Sequence, residues 1–375
     1  MPEPTARVLA IDVGAGTTDV LLTQSGEPLE NAVKLVVPSR TRVVGAQIAT
    51  ATTSGDTVVF AGETMGGGAS TEAMKRHTAA GLRFVAGETA ALSFADDLER
   101  VRARGVEIVS DSEAAKMAST ASGVTAASGI AAASTHPAAA EHITVVRSGD
   151  LDPAGLRAAL RHLGVAPAFD AVAVAVQDHG FSPHGSNRAF RFTLWEKTVR
   201  ERRPIGDLFY AAADVPIELT RLRAAAGLAA ELAASAPVLV ADTGPAALYG
   251  ALPDGVDDAV LINVGNGHTI IAVALHGCLA GVFEHHTGLL DGPGLVDRLR
   301  RFLGGELGND EVHDDGGHGA VLAAPPPASL PLIVTGPRRD MLSGSSLPLQ
   351  FAAPHGDMML TGCFGLLRAL RKRGS

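Results

Sequence analysis

Two glycine-rich segments, far apart in the chain, share one pattern of residues. Residues 8–22 read VLAIDVGAGTTDVLL, and residues 259–273 read AVLINVGNGHTIIAV. In each segment an apolar run ends in an acidic or amide residue, a glycine turn follows, and a second apolar run returns. Two short apolar runs joined by a glycine turn are typical of paired strands. The pattern therefore predicts two β-hairpins with polar tips, and the matching pair fits a duplicated domain.

The residue types at the two tips predict that they hold a phosphate chain between them. Glycine permits positive φ, and consecutive backbone N–H groups that point into one concavity bind anions. Asp12 ends a buried strand, where a carboxylate is costly without a partner such as a hydrated Mg²⁺. An ordinary hairpin explains either tip alone, whereas the pair favours a nucleotide-handling protein. The turn glycines are Gly14, Gly16, Gly265 and Gly267, and Thr17 and Thr18 add hydroxyl donors.

Three further segments surround the second hairpin. Residues 237–250 predict a short strand and a small-residue helix that begins at Asp242 or Thr243. Residues 331–339 predict a buried strand that ends in a glycine turn. Residues 357–370 predict an apolar helix, and its small residues Gly362 and Gly365 would allow another helix to cross closely.

These five segments, in this order, resemble the actin, sugar kinase and heat-shock chaperone superfamily. The resemblance implies an α/β fold of two ribonuclease-H-like domains with ATP and Mg²⁺ in a central cleft. It places Asp12, Gly14, Gly16, Thr17 and Thr18 in the first phosphate loop. It places Asn263, Gly265, Asn266, Gly267 and His268 in the second loop, and Gly336 near the adenosine.

Three positions depart from the superfamily pattern. Asn263 stands where the second hairpin usually has Asp, His268 displaces a Thr near the second tip, and Pro337 replaces one glycine of a pair. Asn keeps a carbonyl acceptor but lacks the charge that helps to bind Mg²⁺ and to activate water. We therefore expect a nucleotide-binding protein that is a slow or regulated ATPase.

The chain also resembles a narrower prokaryotic family, often labelled as pyruvate formate-lyase activating enzymes. The resemblance is carried by QDHG at 177–180, GNGHT at 265–269, FEHHTG at 283–288 and DDGGHG at 314–319. Radical activation of that kind needs three cysteines that hold an iron–sulfur cluster. The chain has only Cys278 and Cys363. The residues therefore contradict the labelled chemistry, although they support membership of the family.

Histidines and acidic residues stand where several predicted strands meet their loops. Strand ends are where α/β folds form ligand sites, and imidazole both titrates near neutral pH and binds metals. We predict either a metal site or an acid–base pair that acts on a second substrate. Hydrogen bonding of each ring to its own loop is the alternative. The residues are Asp178, His179, His268, Glu284, His285, His286, Asp314, Asp315 and His318.

Two other functions remain open. The resemblance to sugar kinases makes Asp242 a catalytic base in a small-molecule kinase with a His-lined acceptor site, although a helix N-cap also explains this residue. Asp12, Asp242 and His268 are the predicted catalytic residues. A third alternative is an ATP-driven reductive activator, in which Cys278 and Cys363 hold an iron–sulfur cluster across a dimer.

Length and composition bound the organisation of the chain. Its 375 residues suggest two domains, which we place at 1–253 and 254–375, with a last helix over 357–371 that crosses back to the first. Residues 7–60 read as strands with short turns. Residues 117–140 consist mostly of Ala, Ser, Thr and Gly and read as a low-complexity surface insertion.

Charge and cysteine content indicate the compartment and the partners. A net charge of −9 argues against nucleic acid. Two cysteines fit a reducing compartment, and neither a leader pattern nor a long apolar run is visible. We expect a cytoplasmic protein that does not bind membranes. Its predicted partners are a nucleotide and an unidentified small molecule or protein.

Overall fold

A computed structural model describes residues 6–127 and 142–374 of the chain. The strands are β1 (Arg7–Val13), β2 (Thr17–Gln24), β3 (Val33–Pro38), β4 (Thr57–Gly62), β5 (Phe84–Gly87), β6 (Val106–Val109), β7 (Ile143–Ser148), β8 (Ala171–Val176), β9 (Phe209–Ala211), β10 (Val238–Asp242), β11 (Ala259–Val264), β12 (His268–Leu275), β13 (Cys278–His286), β14 (Gly319–Leu322), β15 (Leu332–Thr335) and β16 (Leu349–Phe351). The helices are α1 (Arg40–Ser54), α2 (Gly68–Ala79), α3 (Glu88–Ala91), α4 (Leu98–Arg102), α5 (Asp111–Ala127), α6 (Pro153–His162), α7 (Asn187–Arg200), α8 (Thr220–Ala233), α9 (Thr243–Ala251), α10 (Gly292–Leu303), α11 (Asn309–Asp314) and α12 (Thr361–Gly374).

The chain divides into two compact units. Pro38–Leu151 forms the smaller unit, and the chain on either side of it forms the larger one. The predicted lobe boundary between residues 253 and 254 falls inside the larger unit, so the division into those two lobes stays a prediction.

The larger unit contains two six-stranded sheets that share the order of five strands. The first has the order β3-β2-β1-β8-β10-β9, and the second has the order β14-β13-β12-β11-β15-β16. In the first sheet β1 pairs antiparallel with β2 and parallel with β8, which pairs parallel with β10. In the second sheet β11 pairs antiparallel with β12 and parallel with β15, which pairs parallel with β16. The sixth strand differs, since β9 pairs antiparallel with β10 and β14 pairs antiparallel with β13 at the opposite edge. The shared order of five strands confirms the predicted duplicated ribonuclease-H-like fold.

The two glycine-rich segments form equivalent hairpins, as predicted. The Gly14 amide donates to the Thr17 carbonyl at 2.9 Å, and the Gly265 amide donates to the His268 carbonyl at the same distance. Asp12 and Asn263 therefore occupy matching positions, one residue before the last of β1 and of β11. The central residues of both strands are fully buried because parallel strands pack beside them.

Helices α9 and α12 cross through paired glycines. A Cβ on Gly365 would collide with the Ala246 carbonyl, and a Cβ on Gly250 would collide with the Thr361 carbonyl. The predicted close crossing through small residues is thus confirmed at Gly365. Glycine is needed at Gly362 for a different reason, since a Cβ there would collide with the Asp12 carboxylate.

The smaller unit is a separate α/β unit with its own core. Its parallel sheet has the order β6-β5-β4-β7. Phe60, Phe84 and Phe94 pack with ring centroids 5.0–5.8 Å apart. The buried His77 ring lies 2.9 Å from the Thr52 hydroxyl and 3.1 Å from the Arg83 carbonyl. Aromatic packing and satisfied polar groups together hold this unit in one arrangement.

Two segments differ from the sequence predictions. Residues 40–54, expected within a region of strands, form α1, because Val44, Ile48 and Ala51 give a buried face at helical spacing. Within the predicted low-complexity insertion, residues 117–127 belong to α5, since alanine has the highest helix propensity. Residues 128–140 lie outside the described residues.

Across residues 6–127 and 142–374, the helices are too short or too polar for any of them to cross a membrane.

We expect Gly365→Ala to lower the free energy of unfolding by about 1–3 kcal/mol, because the new methyl group overpacks the crossing with α9. Gly227→Ala in α8 is the matched control, since an added Cβ there meets no atom within 4 Å. The control should raise stability by roughly 0.5–1 kcal/mol. Urea unfolding followed by tryptophan fluorescence measures both effects. A Gly365→Ala variant as stable as the control would contradict the close crossing.

We also expect the smaller unit to lose stability in mild acid. Burial lowers the pKa of His77 below its ordinary value of 6.5. As the pH falls through 6.5, the unfolded chain gains a proton that the folded chain resists, so the free energy of unfolding decreases. Urea unfolding followed by circular dichroism at about pH 7.5 and about pH 5.5 tests this. The decrease should be smaller in His77→Gln, and an equal decrease in both proteins would refute the role of His77.

Candidate functional site

The structure brings the two hairpin tips together beside a small pocket of about 80 Å³ in the larger unit. A Cβ on Gly16 would lie 2.5 Å from Asn266 Nδ2, and a Cβ on Gly267 would lie 3.0 Å from the Ala15 methyl group. The two turns therefore face each other in direct contact. The predicted phosphate and adenosine residues that line the pocket are Asp12, Gly14, Thr17, Asn263, Gly265, Asn266 and Gly336.

Two carboxylates meet at the first hairpin. Asp12 and Asp19 are opposite each other on β1 and β2, and both are at most 8 % exposed. The Thr243 hydroxyl donates to Asp12 Oδ1 at 2.6 Å. Asp19 Oδ1 is buried and has no hydrogen-bond partner among the described residues. This pair leaves carboxylate oxygens that a cation or a proton could satisfy.

Burial also changes the acidity of this pair. Desolvation raises the pKa of Asp12 to about 7, and the nearby Asp242 charge adds to the rise, although the Thr243 hydrogen bond opposes it. Desolvation and then the Asp12 charge raise the pKa of Asp19 to about 8. At neutral pH the pair therefore holds protons that a bound cation would displace.

The turn after β15 packs onto the second hairpin. Gly336 has φ of 99°, a conformation that side chains rarely adopt. An added Cβ there would lie 2.6 Å from Asn263 Oδ1. Glycine is thus required at Gly336, both by the backbone conformation and by the close approach to Asn263.

Four histidines from four segments converge at a second position of the larger unit. His179 follows β8, His268 begins β12, His286 ends β13 and His318 precedes β14. The ring centroid of His268 is 4.6 Å from that of His286, 4.9 Å from that of His318 and 5.7 Å from that of His179. His179 Nε2 and His318 Nε2 are 3.0 Å apart. We call these four residues the histidine cluster.

Desolvation keeps the rings of the histidine cluster neutral. Burial lowers the pKa of His268 to about 4 and that of His318 to about 3. Burial also lowers the pKa of His179 well below its ordinary value and lowers that of His286. At neutral pH these rings carry lone pairs rather than charge.

His285 does not belong to this cluster. Neighbouring residues of a strand point to opposite faces of the sheet, so His285 points away from His286. It is fully buried, its Nδ1–H donates to the His286 carbonyl at 3.1 Å, and its Nε2 is 3.5 Å from Asp315. Asp315 in turn pairs with Arg298. The structure therefore separates His285 and Asp315 from the other predicted second-site residues.

A buried guanidinium beside the histidine cluster was not predicted from the sequence. Arg191 in α7 is 4 % exposed and contacts Glu284, which is fully buried. Its Nε donates to Glu284 at 2.7 Å, and its two terminal nitrogens donate to Asp242 at 2.8 and 3.0 Å. Trp195 Nε1 also donates to Glu284, at 3.0 Å. Arg191 thus connects strand β10 of the first sheet with strand β13 of the second.

The charges in this group stabilise one another. Burial alone would raise the pKa of Glu284, but the Arg191 guanidinium lowers it below its ordinary value of 4.5. The two carboxylates raise the pKa of Arg191 in spite of its burial. Glu284 is therefore an ionised group inside the protein, held by charge-assisted hydrogen bonds.

Asp178 and Asp242 both hold backbone amides. Asp178 accepts hydrogen bonds from the Gly180 and Leu222 amides at 2.8 Å, and burial raises its pKa. Asp242 caps α9 by accepting from the Gly244 amide at 2.9 Å, and it also accepts from the Asp178 amide. These contacts engage both carboxylate oxygens of Asp242. The catalytic role of Asp242 stays a prediction.

The two cysteines lie in different environments. Cys363 is fully buried, and its thiol donates to the Asp19 carbonyl at 3.3 Å. Burial raises its pKa well above the ordinary value. Cys278 begins β13 and is half-buried. A thiol held inside one chain gives no support to a cluster shared across a dimer.

The unpredicted residues had only weak signals in the sequence. Arg191 stands four residues before Trp195 and next to Phe192, on the buried face of α7. A charged residue on such a face indicates a buried partner, but it does not identify that partner. Asp19 follows the Thr pair at the first tip, and only the β1–β2 register shows that it pairs with Asp12.

Arg191→Met should lower the free energy of unfolding of the larger unit by about 3–5 kcal/mol, because it leaves buried carboxylates without a partner. Arg200→Met, exposed at the end of α7, is the control and should change stability by less than about 0.5 kcal/mol. Urea unfolding followed by the fluorescence of Trp195, the single tryptophan, measures both. Adding Glu284→Gln to Arg191→Met should restore part of the loss. Equal stability of the two Arg variants would show that the guanidinium contributes little.

Comparisons with known proteins give one family and distant similarities to solved structures, including these two. The structure of ethanolamine utilization protein EutJ from Carboxydothermus hydrogenoformans is 11% identical, with a TM-score of 0.36 over 99% of this chain and 91% of that chain. An exopolyphosphatase-like protein is 9% identical, with a TM-score of 0.21 over 83% of this chain and 61% of that chain. No curated protein matches the sequence. The assignment of the fold therefore depends on the strand order of the two sheets.

Residues 65–341 match a protein family described as "Putative pyruvate format-lyase activating enzyme (DUF1786)". The description names a chemistry whose three cluster-binding cysteines are absent from this chain, which has two cysteines. The match nevertheless spans most of the chain and agrees with the resemblance seen in the sequence. The chain therefore belongs to this family.

Proposed function

We propose that this protein binds ATP with Mg²⁺ at the pocket between the two hairpin tips and is a slow or regulated ATPase. The observation that carries the proposal is the contact between two equivalent glycine turns beside Asp12. Two such turns in one place supply amide, hydroxyl and carboxylate groups from both halves of the duplicated fold. Phosphate recognition is the chemistry that this set of groups fits best.

Polar groups at the first hairpin fit a phosphate and a cation. Thr17 and Asp19 line the pocket, whereas Thr18 lies between them on β2 and points to the other face of the sheet. Asp19 Oδ1 is buried and has no hydrogen-bond partner within the part of the chain that the structure describes, and Asp12 lies opposite it. Mg²⁺ prefers oxygen ligands and keeps several waters, so one or two carboxylates suffice. Asp12 would hold Mg²⁺ through water, and the ion would offset the charge of the phosphates.

The size of the pocket indicates that binding needs a movement of the tips. Pockets for ligands of nucleotide size have volumes of about 300–1,000 Å³, whereas this one has about 80 Å³. The Asn266 side chain over Gly16 closes one side of it. We therefore propose that ATP separates the two hairpin tips when it binds, and that the tips close on the phosphates.

Slow turnover follows from the residues at the second tip. Asn263 occupies the position that corresponds to Asp12 in the first hairpin, so this side of the pocket lacks a carboxylate. A neutral amide can orient water or a phosphate oxygen, but it removes no proton from water at neutral pH. Phosphate binding is thus better supported by the residues than rapid hydrolysis is.

We expect calorimetric titration to show magnesium-dependent binding of ATP, and Asp12→Ala should abolish it because the cation loses its carboxylate. Asp214→Ala removes an exposed carboxylate elsewhere and should leave binding unchanged. ADP and a non-hydrolysable ATP analogue show how much the γ-phosphate contributes. No binding of any nucleotide, or equal binding by both variants, would refute the proposal.

Phosphate release without an acceptor distinguishes an ATPase from the small-molecule kinase that the sequence leaves open. A slow release that Asp12→Ala removes would agree with the ATPase. Release that requires an added acceptor would instead favour the kinase, and Asp242→Asn would then test its base.

A further inference from the structure

We propose that His179, His268 and His318 form a binding site for a divalent transition-metal ion, with Zn²⁺ as the ion that the ligands suit. The site is distinct from the phosphate pocket and does not depend on the proposed binding of ATP. It consists of neutral nitrogen ligands only, whereas Mg²⁺ prefers oxygen.

The distances between the rings fit such an ion. One ring nitrogen from each of the three residues lies within 4.8 Å of the other two. Two nitrogens bound to tetrahedral zinc at about 2.0–2.1 Å are about 3.4 Å apart, and the Nε2 atoms of His179 and His318 are 3.0 Å apart. His268 would complete the set if its ring moved closer to this pair.

An unsatisfied nitrogen gives independent support. His268 Nε2 is buried and has no hydrogen-bond partner in the described parts of the chain. A buried polar atom without a partner is costly, so native proteins rarely leave one. A metal ion between the rings would give His268 Nε2 the partner that the protein does not supply. Binding would also replace the hydrogen bond between the Nε2 atoms of His179 and His318.

The surrounding charge favours a cation at this position. Glu284 and Asp242 face the single guanidinium of Arg191, so this buried group carries more negative than positive charge. Glu284 is next to the proposed site, since its backbone carbonyl accepts a hydrogen bond from the His318 amide at 2.9 Å. Its carboxylate oxygens are held by Arg191 and Trp195, which makes it a neighbour of the ion rather than a ligand. A divalent ion bound by neutral rings would offset the excess negative charge.

A site with three protein ligands leaves one coordination position for water or for a small ligand. The His286 ring stands beside the proposed ligands, with its centroid 4.6 Å from that of His268 and 4.9 Å from that of His318. His286 is half-buried. We therefore place His286 beside the fourth position, where it would contact the bound water and is not itself required for binding of the ion.

The test uses the full chain without a polyhistidine tag, stripped of metal by a chelator and then dialysed. Calorimetric titration with ZnCl₂ should show one tight site per chain. Titration with Co²⁺ should give the visible absorption of a tetrahedral site and should quench the fluorescence of Trp195, whose indole donates to Glu284. His268→Ala and His318→Ala should each lose tight binding. His162→Ala removes an exposed histidine at the end of α6 and should bind as the wild type does.

Each result supports or overturns the site. Absence of a stoichiometric site overturns it, as does tight binding that survives both His268→Ala and His318→Ala. If an alanine variant is unfolded by circular dichroism, His318→Gln keeps most of the volume without the ligand nitrogen and should show the same loss. Asp12→Ala should retain zinc binding. Titration with nucleotide and titration with zinc therefore test the two proposals independently.

Discussion

The larger unit depends on one buried ionic group, in which Arg191 bridges Asp242 and Glu284. Asp242 ends a strand of the first sheet, and Glu284 lies within a strand of the second. The three charges are inside the protein, where each is stabilised by its opposite charge. Removing one of them leaves a buried charge without compensation and lowers the free energy of unfolding. The same group fixes the start of α9 and holds the indole of Trp195. One residue of the histidine cluster, His286, ends β13, which is one of the two strands that this group joins.

Duplication of the fold produced two hairpins of one shape with different chemistry. The first tip has Asp12 and its buried neighbour Asp19, whereas the second has Asn263 and a histidine that begins the returning strand. That histidine, His268, belongs to the histidine cluster. The turn of the second hairpin therefore lines the pocket at the hairpin tips. The first residue of β12 belongs to the histidine cluster. Divergence at matched positions thus gives two sites of unlike chemistry from one repeated element.

The sequence predicts those parts of the fold that local patterns determine. Apolar runs around glycine turns identify both hairpins, and the spacing of small residues identifies the crossing at Gly365. Residues 40–54 were misread because their β-branched residues resemble a strand pattern. The role of Arg191 was not predictable, since its partners are 51 and 93 residues away and no local pattern specifies such pairing. The separation of His285 from His286 likewise depends on which face of a strand each one occupies.

Because Gly362 has no side chain, the C-terminal helix α12 contacts the Asp12 carboxylate directly. The contact is made by the first turn of this helix. A proton or a bound cation on that carboxylate therefore changes the charge and the available space at the start of the helix. The helix has 14 residues and is therefore about 21 Å long. Its far end carries the basic run Arg371, Lys372 and Arg373. That end is attached to strand β9 by a hydrogen bond from Arg373 to the Phe209 carbonyl, so the helix connects the charge state of Asp12 with the edge of the first sheet.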